Sequence, residues 1–325
     1  MSKKDKLRIV FMGTPKFAVE PLRAVLQSDY HVVSVVTAPD RPAGRGQKIS
    51  QSAVKEFAVE NNQKVLQPTN LKDSSFVNEL EALNADVFIV VAFRMLPKTV
   101  WSIPRFGTFN LHASLLPNYR GAAPINWAII NGEKTTGLTT FLIDEKIDTG
   151  RILLRTELDI LPNETAGQLH DRMMPVGAQL VVDTLKMIES ATLTTIPQDS
   201  LVGDFQKLSA APKLFKETTR INWEKPAKQI HDFIRGLSPY PAAWTELVSA
   251  NGQRTPVKVF QSVISDHKPK QHSSGSIVTD GKTFIDIACL DGYVSINEVQ
   301  LAGKRKLKTK DFLLGFKDIT NYSMG

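Results

Sequence analysis

The sequence predicts an α/β chain: a doubly wound, mostly parallel sheet followed by a small β-barrel. Three observations carry this. Through the first 190 residues, short apolar runs alternate with amphipathic segments, as buried parallel strands alternate with helices. After 191–211, a stretch of Thr, Ser, Pro and Gly with no period, the pattern becomes several short alternating runs separated by turns. The charge divides at the same place: residues 204–325 hold 18 Lys and Arg against 12 Asp and Glu, which is +6 of the net +7. The expected boundaries are a domain at 1–190, a linker at 191–211 and a second domain at 212–325.

Composition narrows the class. At 325 residues the chain is long enough for two cores. The single cysteine, Cys289, excludes an internal disulfide framework and reads as a small buried hydrophobe. The start is charged and the apolar run after it is too short for a membrane span, so a cytoplasmic protein without a membrane partner is expected. A basic module beside a near-neutral one suggests a polyanionic partner; a merely soluble basic domain is the plainer alternative. No His, Cys and carboxylate cluster has metal-site spacing, so no metal is expected.

The elements follow in order. Leu7–Gly13 is a short apolar strand, and Thr14 with Pro15 reads as the N-cap and first residue of a helix. This strand–turn–helix start is Rossmann-like, but it lacks G-x-G-x-x-G, which disfavours nicotinamide and flavin cofactors. Val32–Thr37 is a second strand. Ala38–Ser50 carries Arg41, Arg45 and Lys48 among Pro and Gly, which predicts a basic loop without regular structure. Helices are expected at 52–61 and 74–83, with a short strand at 65–67 between them. Asp86–Ala92 is a strongly apolar interior strand, and Phe93–Leu96 after it suits a ligand wall. Strands at 107–112, 137–143 and 152–158 and helices at 122–131 and 163–190 complete the first domain. In the second, a helix at 226–236 precedes strands at 245–248, 257–264, 275–279, 284–288 and 293–301. Lys304, Arg305, Lys306, Lys308 and Lys310 form a basic cluster after them.

The densest chemistry lies between Gly107 and Arg151. Asn110 and His112 are two apart on a strand and therefore share a face. A turn follows, Ser114-Leu115-Leu116-Pro117, and then Arg120, a weak candidate for shaping a channel. The acidic loop at 144–150 contains Asp148. An Asn amide donates to a developing oxyanion, a His donates or shuttles a proton, and a carboxylate holds the His charged or accepts a proton from an amine. No Ser or Cys stands out as a covalent nucleophile, so direct transfer of an acyl-type carbon fits. Taken alone, an Asn-x-His strand end and an Asp in a Thr-Gly turn are more often structural.

FNLHASLLPNYRGAAPINWAI followed by D-x-x-x-D-T-G resembles the formyltransferase superfamily that uses 10-formyltetrahydrofolate, and the likeness extends over essentially the whole chain. It implies that Asn110, His112 and Asp148 are the catalytic trio and that Ser114, Leu115, Leu116 and Pro117 line the folate site. The PDRPAGRG loop is similar to that of the tRNA-specific members. This implies methionyl-initiator tRNA as acceptor, with Arg41, Arg45 and Lys48 on the RNA backbone. The family's C-terminal domain is an OB-like barrel, which gives Lys304, Arg305 and Lys306 phosphates to meet. A monomer is expected. Two departures stand out. Val91-Ala92-Phe93-Arg94-Met95-Leu96-Pro97 replaces a slightly longer turn that often has Tyr-Gly, and Asn222 replaces the Asp of an R-I-D-W element. The alternatives are a nucleotide-sugar formyltransferase, a glycinamide ribonucleotide formyltransferase, for which this chain is too long, and a non-catalytic RNA-binding protein.

Overall fold

The structure, a computed structural model, describes residues 6–43, 48–192, 194–203, 207–267, 272–316 and 318–325. Its elements are β1 (Arg8–Gly13), α1 (Val19–Leu26), β2 (His31–Val36), β3 (Arg41–Ala43), β4 (Lys48–Ser50), α2 (Ala53–Glu60), β5 (Val65–Leu66), α3 (Ser74–Ala82), β6 (Val87–Val91), α4 (Lys98–Trp101), β7 (Thr108–His112), β8 (Arg120–Gly121), α5 (Pro124–Ile130), β9 (Thr135–Leu142), β10 (Ile152–Asp159) and α6 (Ala166–Glu189). There follow β11 (Ala210–Ala211), α7 (Ala227–Leu237), β12 (Ala243–Ser249), β13 (Arg254–Ile264), β14 (Ile277–Thr279), β15 (Ile285–Ala288), β16 (Tyr293–Leu301), β17 (Leu307–Lys308), α8 (Thr309–Gly315) and β18 (Tyr322–Met324).

The chain divides into two compact units that do not follow chain order. One comprises Met1–Arg120, Gly137–Leu158 and His170–Ser209; the other comprises Gly121–Thr136, Asp159–Leu169 and Ala210–Gly325.

The first unit holds a seven-stranded sheet in the order β10-β9-β7-β6-β1-β2-β5. β5, β2, β1, β6 and β7 run parallel, and β9 pairs antiparallel with β7, with Asn110 opposite Phe141 and His112 opposite Thr139. The central strands read as apolar runs because both their faces are covered: β6 is buried at every position. The winding reverses between β1 and β6, which puts the crevice of a doubly wound sheet at their C-terminal ends. Gly13 closes β1 there; a Cβ on it would meet the Ala18 Cβ at 2.6 Å. On α6, Gly177 lets the helix settle on β7, where a Cβ would meet Leu111 at 2.8 Å.

The second unit is a strongly bent antiparallel sheet, β14-β15-β16-β13-β12-β18, nearly closed by a bridge between Ser276 and Ser323. It is an OB-like barrel, as expected. Its core includes Ile230, Ile234, Val257, Val259, Ile287, Val294, Ile296 and Phe312, with Ile130 of α5 packed against it. α5 and α7 touch closely: the Asn126 amide donates to the Gly236 carbonyl at 2.7 Å, and a Cβ on Gly236 would meet Ile130 at 2.7 Å.

Several local expectations fail. Thr14 caps nothing: a 3-10 turn at Lys16–Ala18 follows Pro15, no side chain caps it, and α1 starts only at Val19. The 38–50 loop is not irregular throughout, because β3 and β4 pair with Pro42 opposite Ile49, a two-stranded ribbon that tolerates a missing N–H. α4, β17, α8 and β18 were not foreseen, being too short or too mixed to show a period.

Candidate active site

β7 carries Asn110 and His112 in the first unit, between β6 and β9. His112 is 6% exposed. Its Nε2 lies 2.9 Å from the Tyr119 carbonyl, which can only accept, so Nε2 carries a proton. Tyr119 presents that carbonyl from a left-handed conformation, φ 59°. Nδ1 faces the Asp148 carboxylate at 3.8 Å, a charge contact rather than a direct hydrogen bond. Phe141 sets its edge against the imidazole, with ring centroids 6.4 Å apart.

Asp148 reaches His112 by an indirect route. β9 runs away from His112, so its last residue, Leu142, lies opposite Phe109. The 143–150 loop must therefore fold back along the sheet to deliver the carboxylate. Three features hold it there. Asp144 accepts from Lys146 N and Thr149 Oγ1 at 3.0 and 2.8 Å, which curls the loop. Asp148 takes φ 54°, a left-handed conformation that aspartate tolerates. At Gly150 the chain presses on β9 so closely that a Cβ would lie 1.6 Å from the Leu142 carbonyl.

A residue that sequence reasoning missed buttresses the loop. Gln198, 3% exposed, donates to the Asp148 carbonyl at 2.9 Å and the Gly150 carbonyl at 2.8 Å. Its own Oε1 accepts from Arg120 Nε and Nη2 at 3.0 and 2.6 Å. Gln198 sits in the 191–211 stretch, which has no period to draw attention to it. Arg120 thus acts through Gln198.

The Asn110 Oδ1 is buried and has no hydrogen-bond partner among the described residues. A buried polar group without a partner is costly, and a substrate polar group would satisfy it. The Ser114–Pro117 turn turns its polar atoms inward. Ser114 Oγ donates to the Asn118 carbonyl at 2.6 Å, Thr139 Oγ1 donates to the Ser114 carbonyl at 2.7 Å, and Leu116 is fully buried. Leu115 is half-buried against Gly137.

The basic residues differ in setting. Arg41 is exposed on β3, Arg45 lies outside the described residues, and the side chain of Lys48 does too. In the second unit, Lys304, Arg305 and Lys306 are exposed on the turn between β16 and β17. Lys306 pairs with Glu298 at 3.1 Å and lies 4.5 Å from the centre of the Phe260 ring. Among the described residues no group of three or more His, Cys, Asp or Glu is arranged to hold a metal ion, and no helix is long and apolar enough to cross a membrane.

Residues 7–185 match the formyl transferase family, and residues 213–317 match the formyl transferase C-terminal domain. The chain belongs to the formyl transferase family. A methionyl-tRNA formyltransferase of Parabacteroides distasonis is 52% identical over 326 residues, spanning 99% of this chain and 100% of the relative. One from Flavobacterium johnsoniae is 53% identical over 96% of each chain. Among solved structures, the fold is shared with WlaRD, a sugar 3N-formyl transferase crystallised with dTDP and 5-N-formyl-THF (TM-score 0.65, 21% identity, 93% of this chain and 100% of that one). It is also shared with an N-formyltransferase of Helicobacter canadensis in complex with folinic acid and dTDP-3-aminofucose (TM-score 0.63, 20% identity, 93% of this chain and 100% of that one).

Proposed function

We propose that this formyl transferase moves the formyl group of 10-formyltetrahydrofolate to the free amine of methionyl-initiator tRNA. The observation that carries the reading is the trio: Asn110, whose buried Oδ1 has no partner among the described residues, on one strand with a buried His112 whose Nδ1 lies 3.8 Å from Asp148. The acceptor is supported by relatives of that name at about half identity over the full length.

When bound, the donor supplies an amide-like formyl carbon; the protein residues do the rest. Asn110 donates its amide Nδ2 to the formyl oxygen and, with His112, stabilises the charge that develops there, while its buried Oδ1 is left to accept from a donor group of the substrate. His112, with Nε2–H spent on Tyr119, presents Nδ1 to the reacting groups. Asp148 orients His112 and takes up a proton as the amine attacks, since only a neutral amine is nucleophilic; as the new C–N bond forms, the bond from the formyl carbon to the donor nitrogen breaks and that nitrogen leaves with the proton. With Ser114 and Leu116 turned inward, the Ser114–Pro117 segment contributes shape to the folate side. Arg41, Arg45 and Lys48, with Lys304, Arg305 and Lys306, hold RNA phosphates through charge and guanidinium geometry. The chain acts as a monomer in this reading.

The test is transfer of labelled formyl from 10-formyltetrahydrofolate to initiator methionyl-tRNA, free methionine and an amino-sugar nucleotide. Transfer to the tRNA alone is expected. Transfer to the sugar would keep the trio and discard the RNA contacts, and transfer to none by folded protein would remove the chemistry. His112→Ala is expected to lose about a hundredfold or more in kcat while remaining folded. Wild-type turnover by that variant would overturn the assignment.

A further inference from the structure

We infer that Arg94 is a positioning residue for the formyl donor, because its guanidinium clamps the loop after β6 onto the loop after β5. The inference rests on the reading above, in which Phe93–Leu96 walls the donor site.

β6 ends in a forced turn. Ala92 takes φ 48°, which an alanine adopts only when its surroundings impose it. That turn aims Phe93 into the apolar cluster of Val36, Leu71, Phe88 and Leu96. It also sends Arg94 across to the neighbouring loop, where Nη2 donates to the Pro68 carbonyl at 2.7 Å and Nη1 to the Thr69 carbonyl at 3.1 Å. The guanidinium centre lies 5.3 Å from the centre of the Phe93 ring. One residue therefore ties two loops at the ligand-bearing edge of the sheet.

The anchor is itself fixed. Gln67, next to Pro68, donates to the Ala38 carbonyl and to Asp40 Oδ1, both at 2.8 Å. Asp40 in turn accepts from Lys55 of α2 at 2.5 Å. The carbonyls that receive Arg94 thus belong to a braced segment. Between the two clamped loops lies a cavity of about 770 Å³, lined by Thr69–Lys72 and Arg94–Thr99.

An arginine kept only for solubility would not sit this way. Its guanidinium donates to carbonyls, and its Nε is buried with no partner among the described residues. Burial, and then the nearby charge of Arg41, push its pKa below the ordinary arginine value. The side chain carries a desolvation cost, offset by holding the loop. The planar fork is what allows two carbonyls to be bridged at once; a lysine ammonium is a point charge.

The experiment measures binding of 5-formyltetrahydrofolate, an unreactive analogue, by calorimetry on the full chain, together with steady-state kinetics. Arg94→Ala is expected to weaken the analogue by about tenfold or more, and Arg94→Lys by about threefold. At saturating donor, kcat and the KM for tRNA stay within about twofold of wild type, since the clamp touches neither the trio nor the acceptor. Unchanged analogue affinity in a variant that melts like wild type would overturn the inference. So would a fall in kcat with no change in donor KM. If the alanine variant does not fold, the lysine variant decides the matter by the same two criteria. Failure of the wild-type chain to bind the analogue would instead remove the reading beneath, and this inference with it.

Discussion

At the scale of single residues, the Asp148 loop is braced by a side chain outside the trio. Gln198 saturates four bonds: two donated to the backbone of the Asp148 loop and two accepted from Arg120. Gln198→Leu keeps the volume and removes all four, so Asp148 loses its backbone tether while its carboxylate remains. A drop in kcat of about tenfold is expected, since displacement of a reacting group by an ångström costs one to two orders of magnitude. Steady-state kinetics of the variant beside its melting temperature would check it. Wild-type kcat in a folded variant would show that Gln198 matters only for packing. Asn110 and His112 were legible in the sequence because strand alternation alone puts them on one face. Their pairing with Asp148 was carried by resemblance. The support from Gln198 was not legible, because its partners lie 50 and 48 residues away and no local pattern marks a bond of that range.

At the scale of elements, most strands and helices were legible for one physical reason: burial on two faces writes an apolar run, and burial on one writes a period. The misses have equally plain causes. The hairpin of β3 and β4 was hidden by Pro42, which the ribbon tolerates because its neighbour pairs on one side only. Helix α7 carries a feature with a measurable consequence. His231 is buried, its Nε2 donating to Asn163 Oδ1 at 2.9 Å and its Nδ1 accepting from Ser262 Oγ at 3.1 Å, so the neutral ring satisfies both neighbours. Burial pushes its pKa below 6.5, as do Arg235 and Lys228, against a contrary pull from Asp232. The unfolded chain then binds a proton that the folded one refuses. The contribution is complete above about pH 6.5 and is lost as pH falls from there toward the lower folded value. Melting temperatures at pH 7.5 and 5.5 should therefore fall further for wild type than for His231→Gln. Equal falls would show that the ring does not titrate differently on folding.

At the scale of the whole molecule, the excess positive charge should govern encounter with RNA. Binding of initiator methionyl-tRNA should weaken linearly with log salt, and replacing both Lys304 and Arg305 by Ala should reduce the slope by about 1 to 2. An unchanged slope would place the RNA elsewhere on the chain. The interleaving of the two units also bears on synthesis. The Asn126–Gly236 bond joins residues 110 apart, and helix α5 finds its partner α7 only across that distance. At roughly 5–20 residues per second on the ribosome, α5 waits on the order of 5–20 s for α7 to emerge. For that interval the nascent chain carries Ile130 without the core it packs against, apolar surface of the kind that chaperones recognise.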